Sequence, residues 1–76
     1  MNQAILFNDD LVYKADESIW QFSGLLAGEL INIEITTAIN QQTFSLSDKF
    51  DWELAVEDWL EQHEPDNANI IKLDLL

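Results

Sequence analysis

Ser18-Ile19-Trp20-Gln21-Phe22-Ser23-Gly24-Leu25-Leu26-Ala27-Gly28-Glu29-Leu30-Ile31-Asn32-Ile33-Glu34-Ile35-Thr36 is the stretch that decides the fold. Apolar residues alternate with polar ones along Ile19-Trp20-Gln21-Phe22-Ser23 and again along Ile31-Asn32-Ile33-Glu34-Ile35. A period of two marks a strand with one covered face. Ala27-Gly28 lies between the runs and reads as a tight turn, with Gly28 taking positive φ. A two-residue loop there sets Leu26 opposite Glu29, Gly24 opposite Ile31, Phe22 opposite Ile33 and Trp20 opposite Ile35. The intervening pairs, Ser23 with Asn32 and Gln21 with Glu34, are polar. A slip of one residue would mix the faces, so turn chemistry and hydrophobic pattern demand the same register.

Outward from this hairpin the signals shorten. Gln3–Phe7 and Leu11–Ala15 read as short extended pieces, the first pairing with the sheet and the second a strand or a turn. Asn8-Asp9-Asp10 and Asp16-Glu17 punctuate them. Thr37–Thr43 is polar and aperiodic, a loop. Ser47 reads as the N-cap of a helix, and Asp48, Asp51 and Glu53 complement the positive end of its dipole. At 100° per residue, Trp52, Ala55, Val56, Trp59, Leu60 and His63 share one face within about 140°. The acids Asp51, Glu53, Glu57, Asp58, Glu61 and Glu64 take the remainder. Pro65 disfavours helix at Glu64, which sets the end there. Asp66–Asn69 is a turn. In the closing strand, Ile70–Leu75, the residues Ile71, Leu73 and Leu75 share a face. The expected fold is α+β: a two-layer domain spanning 1–76, its antiparallel sheet built from hairpin 18–36 plus N- and C-terminal strands. One amphipathic helix, about 47–64, covers it.

Composition bounds the function. The chain has 76 residues, three Trp, four Phe and one Tyr, which is dense enough in large side chains for a small core. It has no cysteine, so it has no disulfide, thiolate nucleophile or zinc–sulfur site, and a reducing compartment is expected. Met1-Asn2-Gln3-Ala4 carries no basic leader, and no apolar run approaches a membrane span of ~20 residues. Fifteen carboxylates oppose three lysines, for a formal net charge of -12. Such a surface repels phosphate backbones and anionic lipids and attracts basic proteins. Direct nucleic-acid binding and membrane association are therefore not expected. A cytoplasmic setting is.

Several residues together resemble a known family. Met1-Asn2-Gln3-Ala4-Ile5-Leu6-Phe7, Trp20-x-Phe22, Gly28 before Leu30-Ile31, Phe50-x-Trp52-x-Leu54 with Asp58 and Leu60-Glu61, then Asp66 and an Ile-rich ending, are similar to the domain of unknown function 1488 family of short bacterial proteins. The resemblance implies a compact α+β fold and a bacterial, cytoplasmic origin, and it implies no activity. Members of that family often place Asn-Gly or another polar pair at the hairpin turn, where this chain has Ala27-Gly28. They also carry a helical segment for which only Thr37–Leu46 is available here.

Candidate chemistry is sparse. His63, the single imidazole, ends the apolar helix stripe near Glu61, Glu64 and Asp66, where the helix dipole favours a cation. A general base needs an orienting partner and a pocket, and the sequence signals neither. His63 with Glu64 or Asp66 does not place two ligands on one helical face, and no metal motif occurs. Ser18, Ser23, Ser45 and Ser47 lack a nearby base or nucleophile elbow. No catalytic residue, metal or cofactor is expected, and the protein reads as non-enzymatic. The acidic helix face remains. As a solvated face it keeps a small protein soluble. As a docking surface it would engage a basic partner through Asp51, Leu54, Glu57, Asp58 and Glu61, because Leu54 and Phe50 fall away from the tryptophan stripe. The loop at Thr37–Leu46 is the other candidate cover for Phe50 and Leu54. Alternatives are a nucleic-acid mimic acting on a DNA-binding protein, and a structural homodimer formed at a sheet edge or the C-terminal strand.

Overall fold

The computed structural model describes residues 4–76. Its elements in chain order are β1 (Ile5–Phe7), β2 (Val12–Lys14), β3 (Ile19–Leu26), β4 (Glu29–Thr36), α1 (Leu46–Leu60) and β5 (Ile70–Asp74). This is the α+β arrangement expected, a five-stranded sheet with one helix on one face. The expected strand start at Gln3 lies outside the described residues.

The hairpin has the register its side chains require. Trp20 pairs with Ile35, Phe22 with Ile33, Gly24 with Ile31 and Leu26 with Glu29, while Gln21–Glu34 and Ser23–Asn32 alternate with them. Both turn residues take positive φ, 52° at Ala27 and 82° at Gly28, as a type I′ turn demands. The sequence reading assigned that conformation to Gly28 alone. A Cβ in the left-handed region costs roughly 1–2 kcal/mol, and asparagine tolerates it better than alanine. Ala27→Asn is expected to stabilise the fold by about 0.5–1 kcal/mol. A urea midpoint that stays put or falls would contradict this.

Two short strands share the free side of β3. β1 pairs antiparallel with Gly24–Leu26 and β2 with Ile19–Gln21, so the chain crosses from one to the other opposite Phe22 and Ser23. The break would strand the ladder groups of Ser23, and side chains replace what is missing. Asn8 donates its backbone N–H to the Ser23 carbonyl at 2.8 Å. The Asp10 carboxylate accepts the Ser23 N–H at 2.9 Å and also the Ser23 hydroxyl, which Asn8 Nδ2 approaches at 2.9 Å. Asp10 thus occupies the place of a strand carbonyl beside a residue that is buried. Asp10→Ala removes the acceptor for two donors and should cost about 2 kcal/mol, with Asp10→Asn recovering part of it. Equal stability of Asp10→Ala and the parent in urea would remove the ladder role.

The sheet is mixed, which corrects the antiparallel expectation. β5 runs parallel to β4, with Ile33 beside Ile71 and Ile35 beside Leu73. The helix supplies the reason. Its 15 residues carry the chain about 22 Å back along the sheet, so β5 begins at the end where β4 began. The ladder opens where Asn32 donates to the Asn69 carbonyl and closes where Leu75 donates to the Thr36 carbonyl.

The helix begins and ends earlier than expected. Its cap is Ser45 rather than Ser47: the Ser45 N–H donates to the Asp48 carboxylate at 2.8 Å, and the Asp48 N–H to the Ser45 carbonyl. It stops at Leu60, before Pro65 can act, in a turn where the Glu61, Gln62 and His63 amides bond back to Asp58 and Trp59. Trp52, Val56 and Leu60, four residues apart, are buried against Phe22, Ile31, Ile33, Ile35 and Ile71. Thr37–Ser45 contains no helix, yet it is fastened down. The Trp20 indole N–H donates to the Ile39 carbonyl at 2.9 Å, and Phe44 packs 4.6 Å from Trp20 and 5.6 Å from Trp52 between ring centroids.

Candidate docking surface

A helix covering a sheet needs one apolar stripe, and α1 has two. Trp52, Val56 and Leu60 face the core. Leu46, Phe50 and Leu54 repeat at the same four-residue spacing on a line about 120° around the axis. They are 73%, 65% and 60% exposed. The segment 37–45 therefore does not cover Phe50 and Leu54; it packs beneath the helix, through Phe44, against the tryptophans.

Around this second stripe the charge is one-sided. Asp51, Glu57, Asp58 and Glu61 are exposed, and the last three extend the line of Phe50 and Leu54 toward the C-terminal end. The structure thus brings all five residues named from sequence, Asp51, Leu54, Glu57, Asp58 and Glu61, onto one side of the helix. Its first two turns carry Leu46 and Phe50 there beside Asp51, and its C-terminal end carries Glu57, Asp58 and Glu61. The only lysine in α1 does not neutralise them. Lys49 sits at the core edge of the helix, where it pairs with Glu53 at 2.8 Å and lies 5.6 Å over the Phe22 ring.

The acids also sit at the wrong end for the helix. Glu57, Asp58 and the C-cap Glu61 lie where the macrodipole is negative, and no basic residue occupies the last turn. Each such placement costs about 0.3–1 kcal/mol, and Glu57 and Glu61 repel each other one turn apart. Fold stability does not account for their position.

Sequence reasoning missed Leu46. Starting the helix at Ser47 left Leu46 in the loop and hid the four-residue repeat. The signal was present as Ser45-Leu46-Ser47-Asp48, a serine followed three residues later by an acid, which marks Ser45 as the cap.

The other sequence candidates have structural duties. The His63 ring stacks on Trp59 with centroids 4.9 Å apart and planes 16° from parallel, and its Nδ1 lies 3.1 Å from the Trp59 carbonyl. It closes the helix end on the surface. Ser23 is tied to Asp10 and Ser45 caps the helix. Among the described residues, no three His, Cys, Asp or Glu side chains gather in a geometry that could hold a metal ion. No helix among them is long and apolar enough to cross a membrane. A shallow cleft between the hairpin turn and the segment 64–69 is lined by Leu26, Ala27, Glu29, Ile31, Glu64, Pro65 and Asn69. Its polar lining is two carboxylates and an amide, with neither a hydroxyl nor a cation.

The fold and surface define a class: a small acidic α+β domain with a mixed sheet, one covering helix and an unpartnered helix face. No protein-family model and no curated protein matches the chain. A solved structure does. It is the crystal structure of a protein of unknown function from the domain of unknown function 1488 family of Shewanella loihica PV-4. The two share 27% identity with a TM-score of 0.66, over 95% of this chain and 93% of that one. The resemblance to that family therefore extends along nearly the whole chain.

Proposed function

We propose that the protein is a non-enzymatic interaction module that docks a basic protein partner on the outer face of α1. The observation carrying this reading is the second apolar stripe, Leu46-Phe50-Leu54, running into Glu57, Asp58 and Glu61. A partner of matching chemistry presents an apolar ridge flanked by lysine or arginine. Leu54 and Phe50 would supply the buried anchor, and the carboxylates the charged rim that sets orientation and encounter rate. The absence of cysteine and the likeness to a bacterial protein support a cytoplasmic bacterial setting.

The test is capture of proteins from a bacterial lysate on the immobilised chain at ~150 mM salt, where the screening length is about 8 Å. A basic protein retained by the parent, and lost with both Phe50→Ser and Glu61→Lys, supports the reading. Retention by both variants, or none by the parent, removes it. Displacement of the partner by duplex DNA would instead indicate a nucleic-acid mimic. Glu61→Lys has a second expected result that separates binding from folding. It answers the helix dipole and pairs with Glu57, so the variant should be more stable by about 0.5–1 kcal/mol while binding is lost. A variant that loses binding because it unfolds would count against the surface.

A further inference from the structure

The remaining large exposed apolar residues lie mainly on the opposite layer. Leu6, Leu25 and Leu30 are direct cross-strand neighbours on β1, β3 and β4. All three point away from the helix, and they are 69%, 40% and 52% exposed. Val12, 52% exposed, shares their face beside Gln21, and Ile70 lies beside Asn32. The segment from Asn8 to Asp10 lies against this face at Ser23, and among the described residues no helix covers the row of leucines, so the sheet has one dry face and one largely open face.

Charge singles out what could cover it. Two of the chain's three lysines, Lys14 and Lys72, belong to this face, which also carries Glu34, directly beside Lys72, and Asp74. With Asp10, held against Ser23, the face has two cations and three carboxylates, close to balance on a chain whose net charge is -12. Stacking the helix faces instead would bring Asp51, Glu57, Asp58 and Glu61 of two copies together. Back to back, each lysine can meet a carboxylate of the other copy, and the acidic helices end farthest apart.

We propose that the protein forms a twofold homodimer in which the open sheet faces stack, giving four layers with a helix outermost on each side. A twofold contact uses the same patch on both copies, so Leu25, in the middle strand of the row, is matched against the partner's equivalent surface. This interface is independent of the helix face, and both α1 surfaces stay free in the dimer.

Sedimentation equilibrium across ionic strength tests it, because the two proposed contacts respond to salt in opposite directions. Raising NaCl from ~0.05 to ~0.5 M weakens the few lysine–carboxylate contacts but screens the larger repulsion of two bodies of net charge -12, and should tighten the dimer by about tenfold. Docking of a basic partner would weaken instead. Leu25→Glu, counted twice across the axis, should loosen the dimer by roughly a hundredfold. Leu6→Glu, at the most exposed position of the row, should act in the same direction without disturbing the fold. Leu54→Glu on the helix should leave the dimer unchanged. A monomer at ~0.5 M salt and ~0.1 mM protein, with far-UV circular dichroism intact, overturns the proposal. So does a dimer that survives both Leu25→Glu and Leu6→Glu, which would point to pairing at a sheet edge.

Discussion

Trp52→Ala should leave the protein largely unfolded at moderate denaturant, the largest single effect expected in this chain. Trp52 is 2% exposed and joins Trp20 and Phe44 at centroid distances of 5.5 and 5.6 Å, with Tyr13 4.9 Å beyond Trp20. These rings come from a short edge strand, the hairpin, the loop and the helix. The side chain at position 52 is where four separately encoded pieces meet. Replacing a buried tryptophan with alanine costs about 3–5 kcal/mol. A domain of this size holds only about 4–11 kcal/mol in total, so the loss approaches half of it or more. Trp52→Phe keeps a ring in the cluster and should cost about 1–2 kcal/mol. Urea denaturation followed by circular dichroism measures both, and a loss below about 1 kcal/mol for Trp52→Ala would mean that the cluster does not hold the layers together.

Gly24→Val is the second large effect, and its cause is space rather than backbone conformation. A Cβ at position 24 would lie 2.9 Å from the Leu6 carbonyl oxygen and 3.0 Å from Ile5 Cγ1. Ile5 reaches across the bare glycine into the core, and the first obstacle is main chain of β1, which cannot swing aside as a side chain could. Valine at 24 should push β1 from the sheet at a cost of about 3 kcal/mol, and alanine about 1–2 kcal/mol. The pattern within the cost is diagnostic. Adding Ile5→Ala should return some of the lost stability, because it clears the side-chain contact, and leave the part due to the Leu6 carbonyl. Full additivity of Gly24→Ala and Ile5→Ala would show that the two sites are not coupled. Loss of amide protection at Phe7 in the Gly24→Val variant would locate the damage at β1.

What could be read from the residues was whatever neighbouring residues decide. The hairpin register followed from alternation and turn length, both local, and every expected pair from Trp20–Ile35 to Leu26–Glu29 formed. The buried stripe of α1 followed from its period, although its ends did not. Pro65 was a legible stop that the helix never reaches, because Trp59 and His63 close the last turn first. The direction of β5 was not legible from any window around Ile70–Asp74. It depends on how far α1 carries the chain and on which strand the return meets. Asp10 hid inside a run of polar residues that reads as punctuation, because serving as a carbonyl surrogate requires knowing that β1 and β2 lie end to end. For the helix surface, Asp51, Leu54, Glu57, Asp58 and Glu61 were legible as one side of a wheel. Its apolar extent depended on a cap two residues away from the one chosen.

The unequal distribution of charge between the two layers reaches beyond contact. With Lys14 and Lys72 on the outer face of the sheet and the exposed carboxylates of α1 on the opposite side, these two layers differ in charge. Under the proposed docking, a cationic partner within about 8 Å at physiological ionic strength would feel that difference as a torque on the domain. The chain would arrive already turned, helix leading, before any side chain touches.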